Sequence, residues 1–314
     1  MKYRKLGNTG LEVSVLGLGG SSLGSVFAPI DEHEGIRTVQ VAVDNGINLI
    51  DTSPYYGRTK GELVLGRALR GIAREKYLLA TKVGRYGDAD FDFSAGGVSQ
   101  SVEESLQRLG LEHIDFIQVH DLEFGDLDQI VEETIPALRQ MQAAGKVRFV
   151  GITCLPLRLF RQVMARTEVD QIQSYCHYCL NDTALLDLLP LFKAKGVAVF
   201  NSAPLAMRLL SHEGPPAWHP APPALKAQCA AAARFCAENG GDLGKLALQF
   251  AVANEEIPTH IVGTASSKRM LRNIREIEEP LDPELLAGAL KLLQPVHNLT
   301  WPSGSVSPLA TCKH

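Results

Sequence analysis

Residues 47–69 read INLIDTSPYYGRTKGELVLGRAL, and this stretch contains the unit from which the fold is built. A short apolar run at 47–52 predicts a buried strand, and apolar residues at helical spacing over 61–69 predict an amphipathic helix. Asp51 and Tyr56 fall at the end of the strand and in the turn that follows it. A strand followed by such a helix is the repeating unit of parallel sheets.

The same alternation of strand and helix runs through the rest of the chain. Further apolar runs predict strands at 13–19, 77–82, 114–120, 147–153, 171–175, 197–202 and 260–263. Helical periodicity between them predicts helices at 33–45, 97–109, 130–144, 185–195, 243–253 and 268–277. Eight strands that alternate with helices predict an α/β fold, namely a single (β/α)8 TIM barrel.

Two segments are additions to a plain barrel. Residues 2–13 predict an N-terminal hairpin below the barrel, with its turn at 8–10. Residues 215–239 predict an insertion before the penultimate barrel helix, rich in proline at first and then helical. Because 314 residues suit one barrel and no polar linker divides the chain, residues 1–314 are predicted to form a single domain.

Composition and charge exclude several classes of partner. A formal charge of −4 gives no basic excess for nucleic-acid binding. No apolar run approaches the roughly 20 residues of a membrane span, and the polar residues 1–9 do not resemble a secretory signal. We therefore expect a cytoplasmic protein with a small-molecule substrate, without nucleic-acid or membrane partners, as a monomer or a weak homodimer.

The cysteines are expected to be reduced thiols, as is usual in the cytosol. They are Cys154, Cys176, Cys179, Cys229, Cys236 and Cys312. The pair in Cys176-His177-Tyr178-Cys179 has the spacing of a redox or zinc motif, but no second pair at zinc spacing accompanies it. We expect ordinary residues of a barrel end there and no metal, with metal or redox chemistry as the alternative.

Four polar residues fall at the ends of three consecutive predicted strands. They are Asp51 and Tyr56 after the second strand, Lys82 after the third and His120 after the fourth. Reacting groups of this fold lie at the C-terminal ends of the strands. A free tyrosine has a pKa near 10, and a neighbouring ammonium group lowers it. Lys82 is predicted to supply that charge, Asp51 to balance it, and His120 to hydrogen-bond the substrate oxygen. Tyr56 is then the general acid or base.

This pattern resembles the catalytic tetrad of the aldo-keto reductases, and the resemblance extends over nearly the whole chain. Within the family, the similarity is to plant-type sugar dehydrogenases. It is carried by the runs DTSPYYG (51–57), FDFSA (91–95), SYCHY (174–178), PLAM (204–207) and NLTWPSG (298–304). The resemblance implies oxidation of an aldose at C1 to its lactone, with hydride passing to C4 of a nicotinamide and Tyr56 as general base. L-galactose is the first candidate. The alternatives are another aldose or aldehyde (L-fucose, D-arabinose, pyridoxal) or a poorly active, cofactor-bound regulatory subunit.

The resemblance also implies a set of cofactor contacts. Thr153, Cys154 and Gln173 are expected near the nicotinamide carboxamide. The nicotinamide and pyrophosphate are expected beside Ser202, Pro204, Leu205 and Arg208. The adenosine end is expected at Gly263, Thr264, Arg269 and Asn273. Three of these depart from the family pattern: Cys154 stands for asparagine, Ser202 for an aromatic residue and Arg208 for glycine.

The same residues bear on the choice of cofactor and on the substrate. NAD is favoured, because the plant enzymes that the chain resembles use it. NADP remains the alternative, because Arg269 falls where NADP-preferring relatives bind the 2′-phosphate. Aromatic residues on loops at the barrel mouth suit a sugar ring, although each can equally serve loop packing. They are Tyr55, Phe124, His177, Tyr178 and Trp301.

Overall fold

The computed structural model describes residues 1–304 and contains a closed barrel of eight parallel strands. An antiparallel hairpin of β1 (Tyr3–Lys5) and β2 (Glu12–Ser14) precedes the barrel. The barrel strands are β3 (Leu16–Gly19), β4 (Leu49–Asp51), β5 (Leu78–Val83), β6 (Ile114–Val119), β7 (Val147–Cys154), β8 (Gln171–Tyr175), β9 (Ala198–Ser202) and β10 (Thr259–Gly263). They pair in chain order, and β10 pairs with β3 to close the barrel. The predicted (β/α)8 fold is confirmed.

Helices surround the barrel. They are α1 (Glu32–Asp44), α2 (Lys60–Leu69), α3 (Ala95–Leu109), α4 (Leu127–Gln129), α5 (Ile135–Ala143), α6 (Arg158–Met164), α7 (Leu189–Lys195), α8 (Pro223–Glu238), α9 (Leu243–Ala253), α10 (Ser267–Glu276) and α11 (Pro283–Leu293). A π-helical turn, Ile130–Thr134, joins α4 to α5. None of the helices in residues 1–304 has the length and apolar character needed to cross a membrane.

The structure adds two helices that the sequence pattern did not predict. The first, α6, has only seven residues, which is too short for a clear helical period. The second, α11, follows the last barrel helix and packs against α8 of the insertion. A Cβ atom at Gly288 would lie 2.2 Å from Cζ of Phe235, so α11 and α8 are in close contact there. The predicted strand at 13–19 divides into β2 and β3, because Val15 lies between the hairpin and the barrel.

Apolar side chains fill the lower half of the barrel. They are Leu49, Ala80, Phe116, Ala198, Phe200 and Ile261, joined by Leu6 and Val13 of the hairpin. The hairpin therefore closes the barrel bottom, as predicted. Inward-facing residues nearer the C-terminal ends of the strands are polar instead, which places the chemically useful side chains at the opposite end of the barrel.

Five cysteines lie within the described residues, and all five are buried thiols without disulfide partners among residues 1–304. Cys176 and Cys179 pack with Cys229 and Leu180 in an apolar cluster between the barrel and α8. Burial raises the pKa of the thiols of Cys176 and Cys179. The sixth, Cys312, lies outside the described residues.

Candidate active site

The structure brings Asp51, Tyr56, Lys82 and His120 together at one end of the barrel. Asp51 ends β4, Lys82 is the penultimate residue of β5, and His120 directly follows β6. Tyr56 lies in the turn between β4 and α2, where its backbone oxygen accepts a hydrogen bond from Gly61 N. Parallel strands point all of these ends toward one face of the barrel.

Asp51 and Lys82 form a buried ion pair, with side chains 3% and 2% exposed. Nζ of Lys82 lies 2.7 and 2.8 Å from the two carboxylate oxygens of Asp51 and 2.7 Å from the backbone oxygen of Thr52. Both carboxylate oxygens and the carbonyl oxygen thus lie within hydrogen-bond distance of one ammonium group. Burial raises the pKa of Asp51, and attraction to Lys82 opposes that rise. The pair is therefore satisfied internally.

Tyr56 packs against this pair, but its phenol is not made more acidic. The Lys82 ammonium lies 5.0 Å from the centroid of the Tyr56 ring. Burial raises the pKa of Tyr56 well above its ordinary value, and the charges of Asp51 and Asp121 act in the same direction. The shift is therefore opposite to the predicted one, because burial of the phenol is its largest cause and the two carboxylates add to it.

His120 is a neutral imidazole in this site. Burial lowers its pKa to about 3; Asp121 opposes the shift, and Lys82 and Arg85 add to it. Its ring stands edge-on to Tyr56, with centroids 5.9 Å apart. A neutral imidazole carries one N–H donor and one acceptor nitrogen, so His120 can offer a hydrogen bond without carrying charge.

A cluster around Arg85 completes the barrel mouth, and the sequence pattern did not reveal it. Nη1 of Arg85 lies 2.5 Å from a carboxylate oxygen of Asp121. The guanidinium carbon lies 4.0 Å from the centroid of Tyr55 and 4.4 Å from that of Phe124. Two of the five predicted substrate residues, Tyr55 and Phe124, therefore border Arg85 beside His120. Only the position of Arg85, three residues beyond Lys82 on the same strand end, could have indicated this arrangement.

The other three predicted substrate residues serve loop packing. Both ring nitrogens of His177 have protein partners, Asp182 at 3.1 Å and the Leu155 carbonyl at 2.8 Å. Tyr178 is buried and stacks on Phe250 of α9, with centroids 5.4 Å apart. Trp301 is also buried, and it packs edge-on against His219 of the insertion at 5.0 Å. Each of the three therefore has partners within the protein, and substrate contact by His177, Tyr178 and Trp301 stays a prediction.

Two of the residues predicted to contact the cofactor have free polar atoms: Gln173, expected near the carboxamide, and Ser202, expected beside the nicotinamide and pyrophosphate. Gln173 donates through Nε2 to Asp51 at 3.3 Å, while its Oε1 is buried without a partner in residues 1–304. Oγ of Ser202, at the end of β9, is likewise buried and unpartnered within the described chain. Buried polar atoms without partners are unusual in proteins. These two fit the amide of a nicotinamide cofactor.

Thr153 and Cys154 fit that role less well. The Thr153 hydroxyl accepts a hydrogen bond from Asp121 N at 3.0 Å and contacts the Asp121 carboxylate at 3.3 Å. Cys154 is buried in the apolar cluster between the barrel wall and the helices. Burial raises the pKa of its thiol well above the ordinary value. Thr153 is thus already hydrogen-bonded and Cys154 packs among apolar side chains, and their carboxamide contacts stay predictions.

The loop after β9 has unusual backbone geometry. It contains Pro204 and Leu205, followed by Ala206, Met207 and Arg208 with φ angles of 45°, 51° and 77°. Non-glycine residues rarely adopt positive φ, and such strain clusters at functional sites. The segment expected to lie beside the pyrophosphate therefore has a left-handed backbone conformation that its non-glycine residues do not favour.

Acidic residues surround the end expected to hold adenosine. Nη2 of Arg269 lies 2.6 Å from the carboxylate of Glu213, in the insertion loop. At the start of α10, the Glu34 carboxylate accepts hydrogen bonds from N and Oγ of Ser267 at 2.8 and 2.7 Å. These bonds lower the pKa of Glu34. Neither glutamate was identified from the sequence, because each pairs with a residue far away along the chain.

The remaining residues predicted to contact the cofactor lie from the end of β10 into α10, where the adenosine is expected. Gly263 ends β10, and a Cβ atom there would lie 3.0 Å from Oγ of Ser21. Thr264 accepts a hydrogen bond from Ser266 N, and Asn273 is buried on α10. A side chain at residue 263 would therefore crowd the serine hydroxyls that follow β3.

A parallel barrel that holds a buried carboxylate–ammonium pair, a tyrosine and a neutral histidine at its C-terminal end defines a TIM-barrel oxidoreductase. The model of the Aldo/keto reductase family matches residues 15–289, and the chain belongs to that family. A nicotinamide cofactor follows from this membership, and the free atoms of Gln173 and Ser202 fit it.

Individual relatives agree with the family. The chain is 50% identical to L-galactose dehydrogenase of Arabidopsis thaliana over 97% of this chain and 98% of the relative. It is 34% identical to D-arabinose 1-dehydrogenase of Saccharomyces cerevisiae over 77% of this chain and 76% of the relative. Among solved structures, an aldo-keto reductase of Bacillus halodurans in its holo form superposes with a TM-score of 0.77. It is 28% identical, covering 96% of this chain and 98% of that one.

Proposed function

We propose that the protein oxidises L-galactose at C1 to its lactone, with NAD⁺ as the hydride acceptor. The observation that carries the proposal is the position of Tyr56 and His120 above the buried Asp51–Lys82 pair. The 50% identity to a relative named L-galactose dehydrogenase supports the choice of sugar.

In this proposal Tyr56 is the proton acceptor for the C1 hydroxyl. None of the hydrogen bonds among residues 1–304 reaches the Tyr56 hydroxyl, so the phenol is free to meet a substrate. A bound oxidised nicotinamide would supply the hydride acceptor at its C4 and a positive charge that favours the phenolate. Because burial raises the pKa of Tyr56, we expect sugar oxidation to accelerate as the pH rises into the alkaline range.

His120 and Lys82 have separate tasks in this proposal. A neutral His120 donates a hydrogen bond to the substrate oxygen and orients it toward Tyr56. Lys82 is hydrogen-bonded to Asp51 and Thr52 beneath Tyr56. It therefore affects Tyr56 through its position and its positive charge, and it does not transfer a proton. Tyr55, Phe124 and Arg85 border the site, where aromatic faces suit the apolar face of a sugar ring.

Two carboxylates support NAD over NADP. A 2′-phosphate requires positive charge or free N–H donors. Glu213 already pairs with Arg269, and Glu34 already accepts the first N–H group of α10. A second phosphate would have to displace both carboxylates or lie beside their negative charge. The two hydroxyl groups of an unphosphorylated ribose can instead donate hydrogen bonds to them.

A second candidate is the same reaction on a different aldose. It is favoured by the relative named D-arabinose 1-dehydrogenase, at 34% identity. The purified protein should therefore be incubated with NAD⁺ or NADP⁺ and L-galactose, L-fucose, D-arabinose or pyridoxal, while the absorbance of the reduced nicotinamide is followed and the lactone is identified by NMR. We expect the highest kcat/KM with L-galactose and NAD⁺. Tight cofactor binding without reduction by any of these compounds would contradict the proposal and favour a regulatory subunit.

The same proposal treats residues 1–314 as one domain that acts in the cytoplasm as a monomer or a weak homodimer, without nucleic-acid or membrane partners. Sedimentation velocity over a range of protein concentrations tests the assembly state. A stable higher oligomer at low concentration would contradict it.

A further inference from the structure

Ser53 lies between the residues of the site and contacts two of them. It belongs to the turn after β4 and is fully buried. Its Oγ lies 3.0 Å from Nδ1 of His120 and 3.1 Å from the backbone nitrogen of Tyr55. No other hydrogen bond of Ser53 Oγ occurs within residues 1–304.

The direction of these two hydrogen bonds follows from the chemistry of the groups. A backbone N–H can only donate, so Ser53 accepts from Tyr55. A hydroxyl has one hydrogen, and in a buried site that hydrogen needs an acceptor. Nδ1 of His120 is the acceptor within reach. Were Nδ1 protonated instead, the Ser53 hydrogen would be buried without a partner. The Ser53 contact therefore selects an imidazole with an unprotonated Nδ1.

The opposite side of the ring selects the same form. Nε2 of His120 lies 3.5 Å from a carboxylate oxygen of Asp121. Arg85 and Thr153 hold that carboxylate in place. A lone pair on Nε2 would face a negative charge, whereas an N–H group there is attracted to it.

We infer that the Ser53 hydroxyl is a positioning residue that holds His120 as the tautomer with its hydrogen on Nε2. The neutral imidazole then carries its N–H donor on the side of the ring that faces Asp121, whose carboxylate Arg85 binds. The use of that donor in sugar oxidation rests on the proposed function. The assignment of the tautomer does not depend on it.

The direct test is NMR of the protein labelled with ¹⁵N in its histidine rings, because protonated and unprotonated ring nitrogens resonate far apart. His120→Gln identifies the His120 signals. Ser53→Ala removes the hydroxyl, Ser53→Thr retains one, and Ser101→Ala is the control for loss of a buried serine hydroxyl elsewhere. We expect Nε2–H in the native protein, in Ser53→Thr and in Ser101→Ala, and a detectable population of Nδ1–H in Ser53→Ala, where only Asp121 still favours Nε2–H.

A native spectrum with Nδ1–H, or a Ser53→Ala spectrum identical to the native one, would overturn the inference. If Ser53→Ala does not fold, the native and Ser53→Thr spectra still decide it. The second readout is kinetic. A wrong imidazole tautomer lowers turnover steeply in other enzymes, so we expect kcat of Ser53→Ala to fall about 10- to 100-fold, with Ser53→Thr retaining most of it. An inactive native protein with the expected spectra would remove the proposed function and leave the tautomer assignment intact.

Discussion

The buried pair of Asp51 and Lys82 makes a quantitative prediction about stability. In Asp51→Asn, the Lys82 ammonium keeps the Thr52 carbonyl but loses its counter-charge, although its side chain is only 2% exposed. Leaving one charge of a buried pair uncompensated costs about 3 to 5 kcal/mol. Lys82→Met instead leaves the Asp51 carboxyl with Gln173 at 3.3 Å. Since burial raises the pKa of Asp51, proton uptake relieves part of that loss.

The double variant Asp51→Asn, Lys82→Met carries no buried charge. Replacing both partners of a buried pair by neutral groups is often close to neutral in stability. We therefore expect the double variant to lose about 0 to 2 kcal/mol, which is less than Asp51→Asn alone. The two substitutions should couple strongly, as expected for residues in direct contact.

Urea unfolding followed by circular dichroism measures these free energies. The matched control is Asp128→Asn, which removes an exposed carboxylate that pairs with Arg166 at 2.6 Å. Exposed pairs contribute up to about 1 kcal/mol, so this variant should change stability little. An Asp51→Asn loss no larger than that of Asp128→Asn, or a double variant equal to the sum of the single ones, would refute the reasoning.

Three further predictions concern the cofactor, pH and thiols. Glu34→Gln combined with Glu213→Gln should lower the ratio of the NADPH and NADH dissociation constants about 10-fold, equivalent to roughly 1.4 kcal/mol. Fluorescence titration measures the ratio, and Glu103→Gln should leave it unchanged. Burial, Asp121 and its other neighbours place the pKa of Glu123 at about 7. The folded chain therefore holds a proton that the unfolded chain releases near pH 4.3, and stability should fall by about 3 kcal/mol between these values as pH rises. Urea unfolding at pH 5 and pH 8 measures this difference in the free energy of unfolding, and we expect it to be absent in Glu123→Gln. In a Cys312→Ser background, Ellman's reagent should react with the remaining thiols only on unfolding, since these are buried: Cys154, Cys176, Cys179, Cys229 and Cys236.

The sequence predicted the features that repeat or that lie at fixed places in the fold. Eight apolar runs separated by helical periods were enough for the barrel, because the strand–helix unit has a local signature. The positions of Asp51, Lys82 and His120 at consecutive strand ends followed from that pattern, since parallel strands end on the same face. Short or late helices such as α6 and α11 were missed, because neither belongs to the repeating unit.

Interactions between distant residues could not be predicted in this way. Arg85 meets Asp121 across 36 residues, and Arg269 meets Glu213 across 56. The acidity of Tyr56 was predicted in the wrong direction for a related reason. The sequence placed a lysine nearby, but the burial of the phenol and its closeness to the carboxylates of Asp51 and Asp121 arise only in the folded barrel.

The substrate residues show the same limit. Loop aromatics such as Tyr178 and Trp301 have no sequence feature that separates a pocket wall from packing between loops. Tyr178 follows β8 by only three residues, yet it turns outward onto Phe250 of α9. Tyr55 and Phe124, in contrast, both lie against the guanidinium group of Arg85 at the barrel mouth.

The role of Tyr56 is tested most directly by comparing the native protein with Tyr56→Phe. Turnover of L-galactose with NAD⁺ is measured alongside the dissociation constant for NADH. Loss of a general acid–base group should lower kcat on the order of 10² to 10⁴-fold, while NADH binding stays within about twofold, because the phenol is not among the groups proposed to bind the cofactor. Turnover close to that of the native protein would contradict the account.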